Sequence, residues 1–256
     1  MRTIIIALPK PISISVEAEV ISPDKFAPLA LEQIRRLEVW QGNRKRKLSD
    51  LFCVVGDEDL ANPAEVTIRL DGDFSRVKRI AEGMTAGTVE VTGSVGMHAG
   101  NKMRGGLLSI AGDADDWLGR EMLGGLITVG GNARNYVGAG YRGEKCGMRG
   151  GIIEVRGSAG VFLGEHMCGG SIKVDGNAGD FPGAANQGGT ILIGGNAYLP
   201  GAEMTKGLIT IKGGAKILPS YQKAEQVMID GTEYQKYTGD LVENGRGEIY
   251  VAVILE

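Results

Sequence analysis

One Gly-rich phrase is written seven times between Met84 and Gly214, and this repetition limits the folds open to the chain more than any other feature. Aligned on a leading glycine, the copies begin at Gly87, Gly106, Gly125, Gly151, Gly170, Gly189 and Gly207, with spacings of 19, 19, 26, 19, 19 and 18 residues. Apolar residues stand two and four places after each head, as in Ile127 and Val129 or Ile172 and Val174, and a second glycine stands six places on. Small or turn-prone pairs follow, such as Asn132-Ala133, Ser158-Ala159, Asn177-Ala178 and Asn196-Ala197. Alternating apolar residues between glycines specify a very short strand with one buried face. The glycines supply the positive-φ corners of a sharply turning chain. One such unit cannot bury its apolar face alone, whereas stacked units bury a continuous column. A repeat of about 19 residues leaves no room for a helix in every crossover. The expected fold is therefore all-β: a right-handed parallel β-helix, or solenoid, of about seven coils and roughly 30–35 Å long at strand spacing.

A second row supports this register. Three places before the heads stand Met84, Met103, Met122, Met148 and Met167, then Asn186, then Met204, so six of the nine methionines share one repeat position. A thioether row along the whole array reads as internal packing rather than a soft-metal site. With 42 glycines and only 5% aromatic residues, the composition suits thin coils stacked on small side chains. Lys and Arg total 28 against 31 Asp and Glu, so no global charge favours nucleic acid or an anionic membrane.

The flanks differ from the array and divide the chain into an N-terminal cap region of small α/β structure (1–62), the Gly-rich solenoid (63–218) and a β C-terminal cap (219–256). Ile12 to Val20 alternates like a strand, and Ser22-Pro23 is a helix start with Ser22 as N-cap. A short helix is expected across Leu31–Leu37 with Ile34 inward. Val39-Trp40 then leads to a hairpin turn at Gly42-Asn43, whose second arm is expected to run through Leu48 and Leu51–Val54 to Gly56. Val66, Ile68 and Leu70 form a degenerate first turn of the array, and Asp230-Gly231 and Glu248–Ile254 give a last hairpin and a strand-like tail. Cys53, Cys146 and Cys168 do not make a disulfide framework, and their odd number fits a reducing compartment. The apolar run after Arg2 stops at Pro9 without a cleavage site, and no run is long enough to span a membrane, so a cytoplasmic location is expected.

Residues with chemistry are scattered. Gly138–Gly143 matches G-x-G-x-x-G, but the residues that follow cannot form the helix a dinucleotide site requires. His98, His166, Cys146 and Cys168 lack zinc-ligand spacing. Asp113, Asp115 and Asp116 crowd one coil, while Asp180, at the same repeat position as Asp116, lies three coils away, about 14 Å at strand spacing. That is too far for paired acid–base work. No catalytic, cofactor-binding or metal-binding residue is therefore expected. The candidate partner contacts are the basic run Arg44, Lys45, Arg46 and Lys47, expected at a turn, and the seven-residue excess of the 26-residue coil, Tyr141 to Gly147, which carries Tyr141, Arg142 and Lys145.

The repeat resembles the Gly-rich solenoid shared by the C-terminal domain of glutamate synthase large chains and the C subunit of formylmethanofuran dehydrogenase. Val39-Trp40-Gln41-Gly42-Asn43-Arg44 with Leu48-Ser49-Asp50-Leu51-Phe52, and Tyr237-Thr238-Gly239-Asp240 with Asn244–Glu248, are similar to the flanking signatures of the dehydrogenase subunit. That resemblance implies a non-catalytic scaffold subunit of an oxidoreductase complex that reduces CO2 to N-formylmethanofuran in the first step of methanogenesis. It implies further that this chain binds no cofactor itself. Tungsten or molybdenum pterin, iron–sulfur clusters and a binuclear metal site would belong to the molybdopterin, ferredoxin-type and amidohydrolase-like partner subunits. Two alternatives stand beside it: the C subunit of a bacterial formyltransferase/hydrolase complex, and a stand-alone β-solenoid carbohydrate-active enzyme.

Overall fold

A computed structural model describes residues 1–255. The N-terminal flank begins with β1 (Arg2–Ala7) and the two-residue β2 (Val16–Glu17). Only that centre of the alternating Ile12–Val20 stretch is strand, and Ile14 is exposed, so the expected longer strand is corrected. Helix α1 (Pro23–Phe26) has Ser22 at its N-cap and proline in its first turn, and α2 (Leu31–Arg35) buries Ile34. The hairpin of β3 (Glu38–Gln41) and β4 (Arg44–Lys47) turns at Gly42-Asn43. Its second arm is the basic run itself. The chain beyond Lys47 forms α3 (Leu48–Leu51) and then β5 (Cys53–Gly56), which leaves the hairpin to pair antiparallel with β1. The reason is burial: Leu48, Phe52 and Val54 are covered there, whereas all four residues of β4 are exposed.

After a 3₁₀ turn at Pro63–Glu65 the strands become regular. They are β6 (Val66–Asp71), the short β7 (Val77–Lys78), β8 (Thr88–Val91), β9 (Leu107–Ile110), β10 (Leu126–Val129), β11 (Ile152–Val155), β12 (Cys168–Val174), β13 (Gln187–Ile193), β14 (Ala197–Tyr198) and β15 (Lys206–Lys216). Then come β16 (Gln222–Ile229), β17 (Thr232–Gly239) and β18 (Gly247–Ile254). The fold is all-β, and one sheet holds fourteen of these strands. Within it each repeat contributes one strand, paired parallel to the next and in register: Ile127 opposes Ile153, Ile153 opposes Ile172, and Ile172 opposes Ile191. The flanks extend this ladder, with β1 parallel to β6 and β18 parallel to β15. Two apolar columns result. Ile4, Ile68, Val89, Leu108, Ile127 and their successors are 0% exposed, and the column through Ile110, Val129 and Val174 is at most 3% exposed. A side-chain period of two gives every strand the same inward pair, and a slip of one residue would expose both.

The methionine row fills the corner of each repeat. All six methionines are fully buried, as is Asn186. A Cβ added at Gly125 would lie 2.9 Å from Met103 Cε and 2.8 Å from the backbone of Gly105, and φ there is +90°. Methionine and head glycine are therefore complementary: the flexible thioether occupies the notch that the next repeat's glycine leaves. At the following corner, Asp113, Asn132, Asn177 and Asn196 each accept a hydrogen bond from the backbone N–H of the next repeat at 2.7–2.8 Å, and Ser94 and Ser158 do so through their hydroxyls. The turn-prone pairs seen in the sequence thus satisfy backbone donors that the thin turns would otherwise strand.

Candidate functional site

The expected contact residues occupy two places, a strand of the second sheet and a loop that leaves the repeat array. Eight places before the heads lies a row with positive φ: Arg79, His98, Trp117, then, across the inserted residues, Tyr136, then Phe162, Phe181 and Leu199. The N–H of each donates to the next repeat, from Arg79 to Met97, His98 to Asp116, Trp117 to Asn135 and Tyr136 to Val161. Such a ladder stacks the rings. Centroids are 4.2 Å apart for Trp117–Tyr136, 5.5 Å for Tyr136–Phe162 and 5.5 Å for Phe162–Phe181, and His98 lies 6.2 Å from Trp117. The aromatic row itself is not among the sequence-based candidates. Its signal is the 19-residue spacing of 98, 117 and 136 and of 162 and 181, hidden by the change of residue type. Burial, and then the positive charges of Arg120 and Arg79, hold the His98 imidazole below its ordinary value of 6.5.

The insertion folds over this row. In other repeats the methionine N–H donates to the residue three places earlier, as Met103 to Gly100 and Met122 to Gly119 at 3.1 Å. Met148 donates instead to Gly138, ten residues back, at 2.8 Å. The regular path is thereby closed at the base: Ala139, Gly140 and Gly147 still pair with Glu121, Glu165 and His166 of the adjacent repeats, and residues 141–146 leave it as an excursion. Tyr141 returns onto the row, 5.3 Å from Trp117 and 6.3 Å from His98, with the Arg120 guanidinium 4.6 Å over its ring. Tyr136, Tyr141, Arg142, Glu165 and His166 line a shallow recess of about 150 Å³ beside it. Arg142 and Lys145 are exposed, and the Lys145 carbonyl accepts a 2.7 Å bond from Gln187 Nε2. The Glu165 carboxyl is raised above its ordinary range, first by burial and then by the charge of Glu203, with His166 opposing.

The far side of the excursion corrects the reading of the cysteines. Cys146 and Cys168, 22 residues apart, are joined by a disulfide that ties the excursion to the first residue of β12, and Cys53 remains free and exposed. No repeat spacing relates the two, because Cys146 lies in residues that have no counterpart in the other copies.

The basic strand β4 belongs to the second sheet, in the order β4-β3-β2-β7. Since β7 runs directly into Arg79, this sheet prolongs the same side of the molecule beyond the first ring, about 14 Å from β4 to β7 at strand spacing. Lys45 is engaged by Glu38 at 2.8 Å and lies 5.5 Å over the Trp40 ring, while Arg44, Arg46 and Lys47 have no ion pair among the described residues.

The acids are held in structural work. Asp113 accepts from Asn132 N–H at 2.7 Å, Asp116 from Asn135 N–H at 2.9 Å, and Asp115 pairs with Arg134 at 3.1 Å. Among the described residues no group of three or more His, Cys, Asp or Glu is placed to hold a metal ion. No helix among them is long and apolar enough to cross a membrane. What the surface carries is the exposed Tyr141, the exposed Arg44, Arg46 and Arg142, and the loop of residues 141–146.

No protein-family model matches the chain. Over 98 residues it is 46% identical to the C subunit of the molybdenum-containing formylmethanofuran dehydrogenase 1 of Methanosarcina barkeri, covering 38% of this chain and 32% of that relative. Over 100 residues it is 38% identical to the C subunit of the tungsten-containing formylmethanofuran dehydrogenase 2 of Methanothermobacter thermautotrophicus, covering 39% of this chain and 37% of the relative. The chain thus matches about a third of the length of these curated relatives. Among solved structures, a chain of the formyltransferase/hydrolase complex (FhcABCD) from Methylorubrum extorquens, crystallised with methylofuran, superposes with a TM-score of 0.88 at 24% identity, covering 97% of this chain and 99% of that one.

Proposed function

We propose that this chain is the scaffolding C subunit of a multisubunit, tungsten- or molybdenum-dependent formylmethanofuran dehydrogenase, which reduces CO2 and forms N-formylmethanofuran. The observation that carries the reading is the 46% identity to the molybdenum enzyme's C subunit. The geometry supports it: the repeats spend their acids and amides on holding one another, and the residues that break the repeat gather on one side as contact groups. In this reading the chain winds as a right-handed parallel β-solenoid of about seven coils (63–218) between caps at 1–62 and 219–256, and works in the cytoplasm. The pterin metal, the iron–sulfur clusters and a binuclear metal site belong to molybdopterin, ferredoxin-type and amidohydrolase-like partners. The partners dock on the side that carries Tyr141, Arg142 and Lys145 and on the strand Arg44, Lys45, Arg46 and Lys47. Aromatic and arginine side chains supply the anchors, and the basic strand contributes steering and register.

A second reading, the C subunit of a bacterial formyltransferase/hydrolase complex, is favoured by the near-complete superposition on a chain of such a complex. Identification of co-purifying subunits separates the two. A molybdopterin subunit with a polyferredoxin supports the first, and a formyltransferase without them supports the second. The docking side is tested by charge reversal at Arg44 and Arg46 together with deletion of Tyr141–Gly147. Loss of co-purification at physiological salt is expected, and normal assembly would move the interface to the plain strand faces.

A further inference from the structure

The bridge between Cys146 and Cys168 is unlike everything else that holds the array together. The remaining repeats are joined without a covalent link by backbone ladders, inward aliphatics and the methionine notch, and those same elements are complete around the insertion. Cys168 N–H donates to Met148 O at 2.8 Å, Gly147 N–H donates to His166 O at 2.7 Å, and the base is closed by Met148 N–H on Gly138 O at 2.8 Å. Ile153 and Ile172, on the strands either side of the bridge, are 0% exposed. The disulfide therefore adds nothing that the sheet needs. What it restrains is the excursion, whose residues 141–145 are all exposed and whose other tethers are few. Between the ladder bonds of Gly140 N–H to Glu165 O and Gly147 N–H to His166 O at its two ends, these are the Gln187 bond to Lys145 O and the packing of Tyr141 against Trp117 and Arg120. Both bridged cysteines keep part of their surface in solvent, which an attacking thiolate requires.

We propose that Cys146 and Cys168 form a thiol–disulfide exchange site that sets the position of the insertion over the aromatic row. In the oxidised state the bridge clamps the loop and Tyr141 covers Trp117, which is only 9% exposed. A dithiol reductant attacks one sulfur through its thiolate, giving a mixed disulfide. Its second thiol then displaces the cysteine, so that two electrons and two protons pass to Cys146 and Cys168 and the reductant leaves as its own disulfide. The reduced loop is held by non-covalent contacts alone, and it opens to uncover the Trp117 ring while the strands stay paired. The ligand class of the site is a dithiol or its disulfide, and its output is the shape of one surface.

The full-length chain tests this directly, because it contains two tryptophans and Trp40→Phe leaves Trp117 as the sole indole. Without reductant, alkylation and mass spectrometry should find Cys53 modified and Cys146 and Cys168 protected. Dithiothreitol should expose both, shift Trp117 emission to the red and raise tryptic cleavage at Arg142 and Lys145 at least about tenfold, as local opening rises. Far-ultraviolet circular dichroism should not change, and oxidised dithiothreitol should restore the starting state. Cys146→Ser and Cys168→Ser should behave as the reduced protein with or without reductant. The proposal fails if both cysteines alkylate after oxidation, if emission and cleavage are the same in the two redox states, or if reduction unfolds the sheet.

Discussion

At the scale of single residues, the array rests on a glycine and a methionine facing each other across most repeat boundaries, with Asn186 in the methionine's place at Gly207. Gly125→Ala should destabilise the protein by about 2–4 kcal/mol, since the alanine would carry a positive φ and its Cβ would press on the backbone of Gly105. Met103→Ala empties the same notch from the other side and should cost about 2–5 kcal/mol, both measured by denaturant unfolding. His98 allows a test of sign. Burial beside Arg120 and Arg79, with Lys78 adding to them and Glu82 opposing, depresses its folded pKa, so the fold favours neutral imidazole. That contribution is complete above the ordinary value and is lost as pH falls through it toward the folded value. The native protein should therefore lose stability between pH 8 and pH 5 by a margin that His98→Phe does not. Equal losses in unfolding titrations at the two pH values would remove His98 from the account.

At the scale of elements, the insertion is an addition to a ladder that closes without it. Residues 139–147 stand where the second repeat has only Asn101-Lys102, and the hydrogen bond from Met148 to Gly138 already completes the turn. Replacing the nine residues by Asn-Lys should leave stability under reducing conditions within about 1 kcal/mol, because shortening a surface loop changes closure entropy only weakly. Circular dichroism and the unfolding midpoint check this. A collapse of the fold would show that the excursion is part of the core.

At the scale of the whole molecule, the flanks close the two ends of a long parallel ladder. At the C-terminal end, β18 continues the register on β15, with Ile249 opposite Ile209 and Val251 opposite Ile211, and β17 and β16 cover it in turn. Ending the chain at Leu218 would strip the 11-residue strand β15 of its outer partner β18 and leave both apolar columns open at one end. An uncapped edge of that length pairs with another copy. The truncated protein should self-associate in sedimentation or light scattering, and a monodisperse monomer would contradict the capping role of residues 219–256.

The periodic part of this structure was legible in the sequence because each repeat solves the same problem. A glycine head, two inward aliphatics and a methionine recur at fixed offsets, and a parallel ladder places equal offsets above one another, so Ile127, Ile153, Ile172 and Ile191 had to form one column once they formed a sheet. The basic run and the insertion were visible as departures from that pattern. Their conformations were not: the run became a strand because the apolar Leu48 and Phe52 behind it had a better place to bury than a hairpin arm. The aromatic row was not legible as a repeat because stacking at positive φ tolerates His, Trp, Tyr and Phe alike, so position persisted while residue type did not. The disulfide was decided by tertiary structure alone. Cys146 sits outside the repeat, where sequence distance no longer measures height along the ladder, and only the folded-back loop brings its sulfur to Cys168.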